Sequence, residues 1–233
     1  MKKFVLVLLA TLMPALAMAA GPSVPVDPAG NDLADKESLK RGFRSYINYC
    51  LACHQLQYQR YNRTFADLGI DEKDGKENWM YTGEKVGDHI TNTMPAKEAA
   101  NWFGAAPPDL TLETRFRSPD WVYTYLRSFY VDEARPFGVN NTVFKDVGMP
   151  HVLQNLQGTR TLDANGNLTK AVGGSMTEAE YDAFVRDLTN FLEYVSEPNK
   201  LERKSLGYWV IGFLVVFFIL SYFLKKEYWK DVH

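Results

Sequence analysis

The chain has 233 residues, 46% hydrophobic and 14% aromatic, and a formal net charge of −2 at pH 7, a balance that argues against a nucleic-acid partner. It holds two cysteines and four histidines; both cysteines lie in one short run and the remaining histidines lack finger-like spacing, which disfavours a zinc module. No internal repeat or low-complexity stretch breaks it up.

Met1-Lys2-Lys3 followed by an apolar run from Phe4 to about Ala20 has the form of a charged n-region and an h-region, and Ala17-Met18-Ala19 fits small-x-small cleavage. Residues 1–19 are therefore predicted to be a signal peptide, with an exported, periplasmic domain over residues 20–200. Without Lys2 and Lys3 the exported part is more acidic than the whole chain, which favours a basic protein partner. Pro22, Pro25, Pro28 and Gly30 predict an extended lead-in segment. From about Asp35, Leu39, Phe43, Tyr46, Ile47 and Cys50 recur on one helical face, so a helix is predicted to deliver the run Cys50-Leu51-Ala52-Cys53-His54.

That run is the C-x-x-C-H pattern of covalent haem attachment. Thiols three residues apart reach both vinyl groups of one haem, and the adjacent His54 sits under the iron. The pattern predicts one covalently bound haem c per chain, with Cys50 and Cys53 as thioethers and His54 as the proximal ligand. A thioredoxin-like redox pair uses C-x-x-C too, but expects a βαβ setting, whereas the flanks here read as helical and aromatic.

Farther along, Ser118-Pro119-Asp120 starts a short predicted helix to about Tyr130, rich in aromatics at Trp121, Tyr123, Tyr125 and Phe129. Residues 132–175 read as loop-rich, with Asn165-Gly166 between Leu162 and Leu168 as a hairpin turn. Thr177-Glu178-Ala179-Glu180 is a capping box, opening a helix whose apolar face is Tyr181, Phe184, Leu188, Phe191, Leu192 and Val195, with a break at Pro198. In the c-type cytochrome fold that the C-x-x-C-H run implies, the first and last helices cross, and Gly42-Phe43 is suited to meet Phe191 and Tyr194 there. Leu206 to Leu224 carries no charge and spans about 28 Å as a helix, enough to cross a bilayer. Residues 225–233, with Lys225, Lys226 and Lys230, are then a cytoplasmic tail, and Tyr208, Trp209, Tyr222, Tyr228 and Trp229 suit the two interfaces. The expected fold class is mainly α: a c-type cytochrome fold with loop-rich insertions and one C-terminal transmembrane helix.

A haem used for electron transfer takes a second protein ligand, and a Met thioether raises its potential. Met80, Met94, Met149 and Met176 are available, and a position in a loop before the last helix leaves Met94, Met149 and Met176 open. His151 reads as a surface residue.

Cys50 to His54, Ala106-Pro107-Pro108-Asp109-Leu110, Gly148-Met149-Pro150 and a final span preceded by a capped helix occur in the order seen in the cytochrome c1 family, which the chain resembles. The resemblance implies that Met149 is the sixth iron ligand, that Pro108 packs against the haem, and that Arg115, with Arg117 competing, meets a haem propionate. It further implies an electron-transfer subunit of ubiquinol:cytochrome c oxidoreductase, relaying single electrons from a Rieske iron–sulfur protein to a cytochrome c beside cytochrome b and membrane lipid. The implied setting is a bacterial inner membrane, crossed once, with no substrate bond chemistry at this subunit. A membrane-anchored haem peroxidase or oxidase subunit with five-coordinate iron is the competing reading.

Overall fold

The computed structural model describes residues 24–231, so the predicted signal peptide lies outside the described residues. Two helices frame the domain. Helix α1 (Lys36–Tyr49) starts where the Asp35 carboxylate accepts the backbone N–H groups of Glu37 and Ser38 at 3.1 and 3.0 Å, supplying partners to two otherwise orphaned donors. Five short helices follow: α2 (Tyr61–Leu68), α3 (Glu72–Asn78), α4 (Ala96–Phe103), α5 (Glu113–Arg117) and α6 (Pro119–Arg127). After the one-turn α7 (Gln154–Gln157) comes α8 (Glu178–Ser196), capped as predicted, with Glu180 N–H on Thr177 Oγ1 and Thr177 N–H on Glu180 Oε2.

Helices α1 and α8 cross at Gly42. A Cβ there would run into the Asp187 carbonyl oxygen and come within 2.6 Å of the Phe191 Cβ, so only glycine lets the two backbones approach this closely. Around the crossing, Phe43 and Tyr46 pack on Phe191 at ring centroids of 5.0 and 5.9 Å, Arg41 pairs with Asp187 at 2.6 Å, and Asn190 Nδ2 donates to the Asp32 carbonyl and to Ser38 Oγ. The lead-in segment straps this pair: Arg186 Nε donates to the Ala29 carbonyl, and Asp120 and Thr124 of α6 accept the Ala29 and Asp27 N–H groups. The fold class matches the sequence reading, and Gly42, Phe43 and Phe191 meet at the crossing as expected, whereas the Tyr194 hydroxyl reaches Asp67 and Gln59 instead.

Among the described residues, the strands are three antiparallel pairs. They are β1 (Leu56–Arg60) with β2 (His89–Ile90), β3 (Phe129–Val131) with β4 (Val139–Asn141), and β5 (Gly158–Thr159) with β6 (Val172–Gly173). Leu162 bridges Leu168 across the Asn165-Gly166 turn, where Gly166 has φ 81°. The buried apolar side chains form two clusters of unequal size. The larger joins α1, α2, α6 and α8 and includes Cys50 and Leu51; the smaller is Phe129, Val139 and Val147, with Tyr125 and Met149 against it.

After α8 the chain breaks at Glu197–Asn199 and restarts as α9 (Lys200–Tyr228). This helix is long and apolar enough to cross a membrane, and its side chains are unburied by the rest of the chain. It begins six residues before the uncharged stretch, and Glu193–Lys200, Glu197–Arg203 and Arg63–Asn199 contacts tie that first turn to the domain.

Candidate haem site

The C-x-x-C-H run winds off the end of α1 as one more turn. Cys50 N–H and Leu51 N–H both return to the Tyr46 carbonyl, and Cys53 and His54 N–H to the Cys50 carbonyl at 3.0 and 2.8 Å. The fully buried Tyr46 hydroxyl donates to the His54 carbonyl at 2.7 Å, pinning the far end of the turn to the helix that produced it. Both thiols are free, Cys50 buried and Cys53 half-buried. Burial, with the neighbouring Cys53, pushes the Cys50 thiol up to about 12, and burial raises Cys53 as well.

His54 is 9% exposed, and its Nδ1 stands 2.8 Å from the Pro108 carbonyl. A carbonyl only accepts, so Nδ1 carries the proton and Nε2 is left with its lone pair free. Burial lowers the pKa of this imidazole, against the opposing Pro108 hydrogen bond and the Glu113 and Asp109 carboxylates. The Pro108 segment is itself stapled to the turn: Leu110 N–H donates to the Gln55 carbonyl, while Asp109 accepts Gln57 N–H and Thr111 N–H at 2.8 and 2.9 Å. Asp109 and Glu113 are the neighbours of His54 that the sequence reading did not single out; Asp109 lay within the matched Ala106–Leu110 run, and Glu113 left no signal.

Met149 lies on the loop between β4 and α7, half-buried beside Phe129, Val139 and Val147, and its Sδ accepts the Tyr125 hydroxyl at 3.3 Å. The other methionines sit differently. Met80 and Met176 pack against the larger cluster, and the loop of Met94 is tied to the motif by Asn92, whose Nδ2 donates to the Leu51 carbonyl. Arg115 has a side chain 64% exposed, with Glu197 at 3.8 Å. Arg117 is more sheltered: it pairs with Glu113 at 2.7 Å and its guanidinium lies 4.4 Å from the Trp121 ring centroid.

His151 corrects the sequence reading. It is half-buried, not on the surface, and stacks flat on Phe129 at 4.7 Å and 2°. Burial lowers its pKa to about 4, with Gln157 opposing and Arg160 adding to the shift.

Two free thiols on one turn, an imidazole with Nδ1 oriented by a carbonyl and Nε2 available, and a thioether sulfur among apolar side chains make a donor set that fits a c-type haem. Among the described residues no three His, Cys, Asp or Glu gather as metal ligands, so the zinc reading finds no ligand set there.

Comparison with known proteins gives the same direction. The model described as the Cytochrome C1 family matches residues 31–232. Cytochrome c1 of Allochromatium vinosum is 50% identical, with both chains covered in full. A protein of Nitrosomonas europaea named ammonia monooxygenase gamma subunit is 46% identical, over all of this chain and 99% of that one. The mitochondrial cytochrome c1 heme protein of Saccharomyces cerevisiae is 28% identical, over 85% of this chain and 68% of its own length.

Proposed function

The chain belongs to the cytochrome c1 family, the membrane-anchored c-type cytochromes of quinol:cytochrome c reductase, and from that premise we propose that it relays single electrons from a Rieske iron–sulfur protein to a cytochrome c. One haem c per chain supplies, when bound, a reversible one-electron couple. Cys50 and Cys53 would hold it through thioethers, and His54 Nε2 and Met149 Sδ would ligate its iron. The observation that carries this reading is the 2.8 Å contact of His54 Nδ1 with the Pro108 carbonyl, because it fixes the ring orientation and leaves Nε2 to the metal. Pro108 thereby borders the haem. With both a His and a Met committed, no position remains for oxygen or peroxide, which separates this reading from a peroxidase or oxidase subunit.

Arg115 meets a propionate by leaving Glu197, a solvated contact at 3.8 Å that is worth little. Arg117 is the competing partner, held back by Glu113 and Trp121. Helix α9 holds the domain at a bacterial inner membrane with its haem side in the periplasm, residues 225–233 in the cytoplasm, and cytochrome b and lipid around the span. Anchoring turns each encounter with the Rieske protein into a local one at high effective concentration.

Haem staining of the denatured chain tests the attachment: the wild type stains, and a Cys50→Ser, Cys53→Ser double variant does not. A wild-type band without stain contradicts the attachment, and high-spin iron that binds carbon monoxide contradicts Met149 as the second ligand.

A further inference from the structure

We propose that Tyr125 is a positioning residue for the distal ligand, its hydroxyl fixing the Met149 thioether and biasing the site toward the reduced state. The proposal rests on Met149 being that ligand. The contact is 3.3 Å from Tyr125 Oη to Met149 Sδ, and because a thioether has no hydrogen the hydroxyl is the donor.

The donor is held from more sides than the acceptor. Tyr125 belongs to α6; its ring stacks on Trp121 at 5.1 Å and 9° and meets Phe129 edge-on at 5.2 Å and 69°. Asn141 Nδ2 donates to its backbone carbonyl at 2.8 Å, tying the same residue to β4. Met149, by contrast, sits on a loop against three buried apolar residues. Arg117 and Glu113 are the charges felt by the hydroxyl, and they are paired with each other at 2.7 Å, so the local field is largely that of the O–H dipole.

Two consequences follow for the sulfur. It has two lone pairs; the hydroxyl occupies one and thereby selects the rotation of the thioether that turns the other toward the metal. The hydrogen-bond donor also presents its positive end beside the ligand, which disfavours the more positive, oxidised iron.

Tyr125→Phe removes the hydroxyl and keeps the ring that Trp121 and Phe129 pack on. In the detergent-solubilised complex, redox titration of this haem is expected to show a lower midpoint potential for Tyr125→Phe, equal to about a threefold to tenfold shift in the reduced-to-oxidised ratio at fixed poise. Tyr123→Phe, on the same helix with its ring against Arg127, is expected to titrate as wild type. The sulfur-to-iron charge-transfer band is read alongside in Met149→Leu. Loss of that band in Met149→Leu together with a wild-type potential in Tyr125→Phe overturns the positioning role alone. Persistence of the band in Met149→Leu overturns the ligand assignment on which it rests.

Discussion

The Cys50–His54 turn leaves the end of α1 against the larger hydrophobic cluster, to which Cys50 belongs; there Tyr46, Phe43 and Phe191 are fully buried and two helices meet without room for a Cβ. Met149 sits instead on a loop beside Phe129, Val139 and Val147, next to a ladder of three residue pairs. On packing alone, the His54 side is expected to open only with the whole domain and the Met149 side at lower free-energy cost. Under the proposed ligand set a c-type site would tolerate that division, because thioethers at Cys50 and Cys53 and the oriented His54 imidazole would keep the cofactor in place while the Met149 thioether is held by fewer contacts.

The largest effect is expected where the proximal foundation is tightest. Gly42→Val drives side-chain atoms into the Asp187 carbonyl and the Phe191 Cβ, both fixed by α8, so it should cost about 3 kcal/mol or more and abolish haem-stained product. A variant that melts like wild type would mean the helices do not meet at this point.

Phe129→Ala is next, at about 3–5 kcal/mol, but the loss should be confined to the distal side. Followed in denaturant, its sulfur-to-iron band should vanish well before the helical circular dichroism of α1 and α8. Coincident transitions would erase the distinction between the two clusters.

Thr177→Ala removes the cap of α8 and should lower stability by about 1 kcal/mol, shifting both signals together because α8 belongs to the larger cluster. A shift in the distal band alone would contradict that placement.

The smallest effect is a pH dependence. Hydrogen bonds from the Thr177 N–H and hydroxyl hold the Glu180 carboxyl below the usual carboxylate range. A depressed folded pKa contributes stability above the ordinary Glu value, and this contribution is lost as pH falls through the depressed one. Glu180→Gln should therefore flatten the acid limb of a melting-temperature profile and leave the neutral-to-alkaline limb parallel to wild type; an unchanged acid limb would remove this linkage.

What was legible in the chain was what short-range chemistry encodes. The C-x-x-C-H run, the period of α1, the capping box of α8 and the uncharged stretch of α9 are each written within a few residues, and Gly42 beside Phe43 announced a close crossing. Helices α2, α3 and α4 and the β1–β2 pair, between His54 and Ala106, were not anticipated. They are short and are fixed by distant side chains, such as Asn92 on the Leu51 carbonyl and Arg60 on the Gly87 carbonyl. His151 was misread for the same reason: its residue type suggests solvent, and only the fold brings Phe129 beneath it. Spacing could not choose among the methionines; the resemblance pointed to Met149, and the structure adds the Tyr125 hydroxyl at its sulfur.

The relay itself is tested most directly by the optical spectrum of this haem in the purified membrane complex as quinol is added, with and without an inhibitor of quinol oxidation. The account predicts that quinol reduces the haem of the Cys50–His54 site and that the inhibitor blocks this reduction. A haem that stays oxidised while quinol is consumed, or that is reduced equally with the inhibitor present, would contradict it.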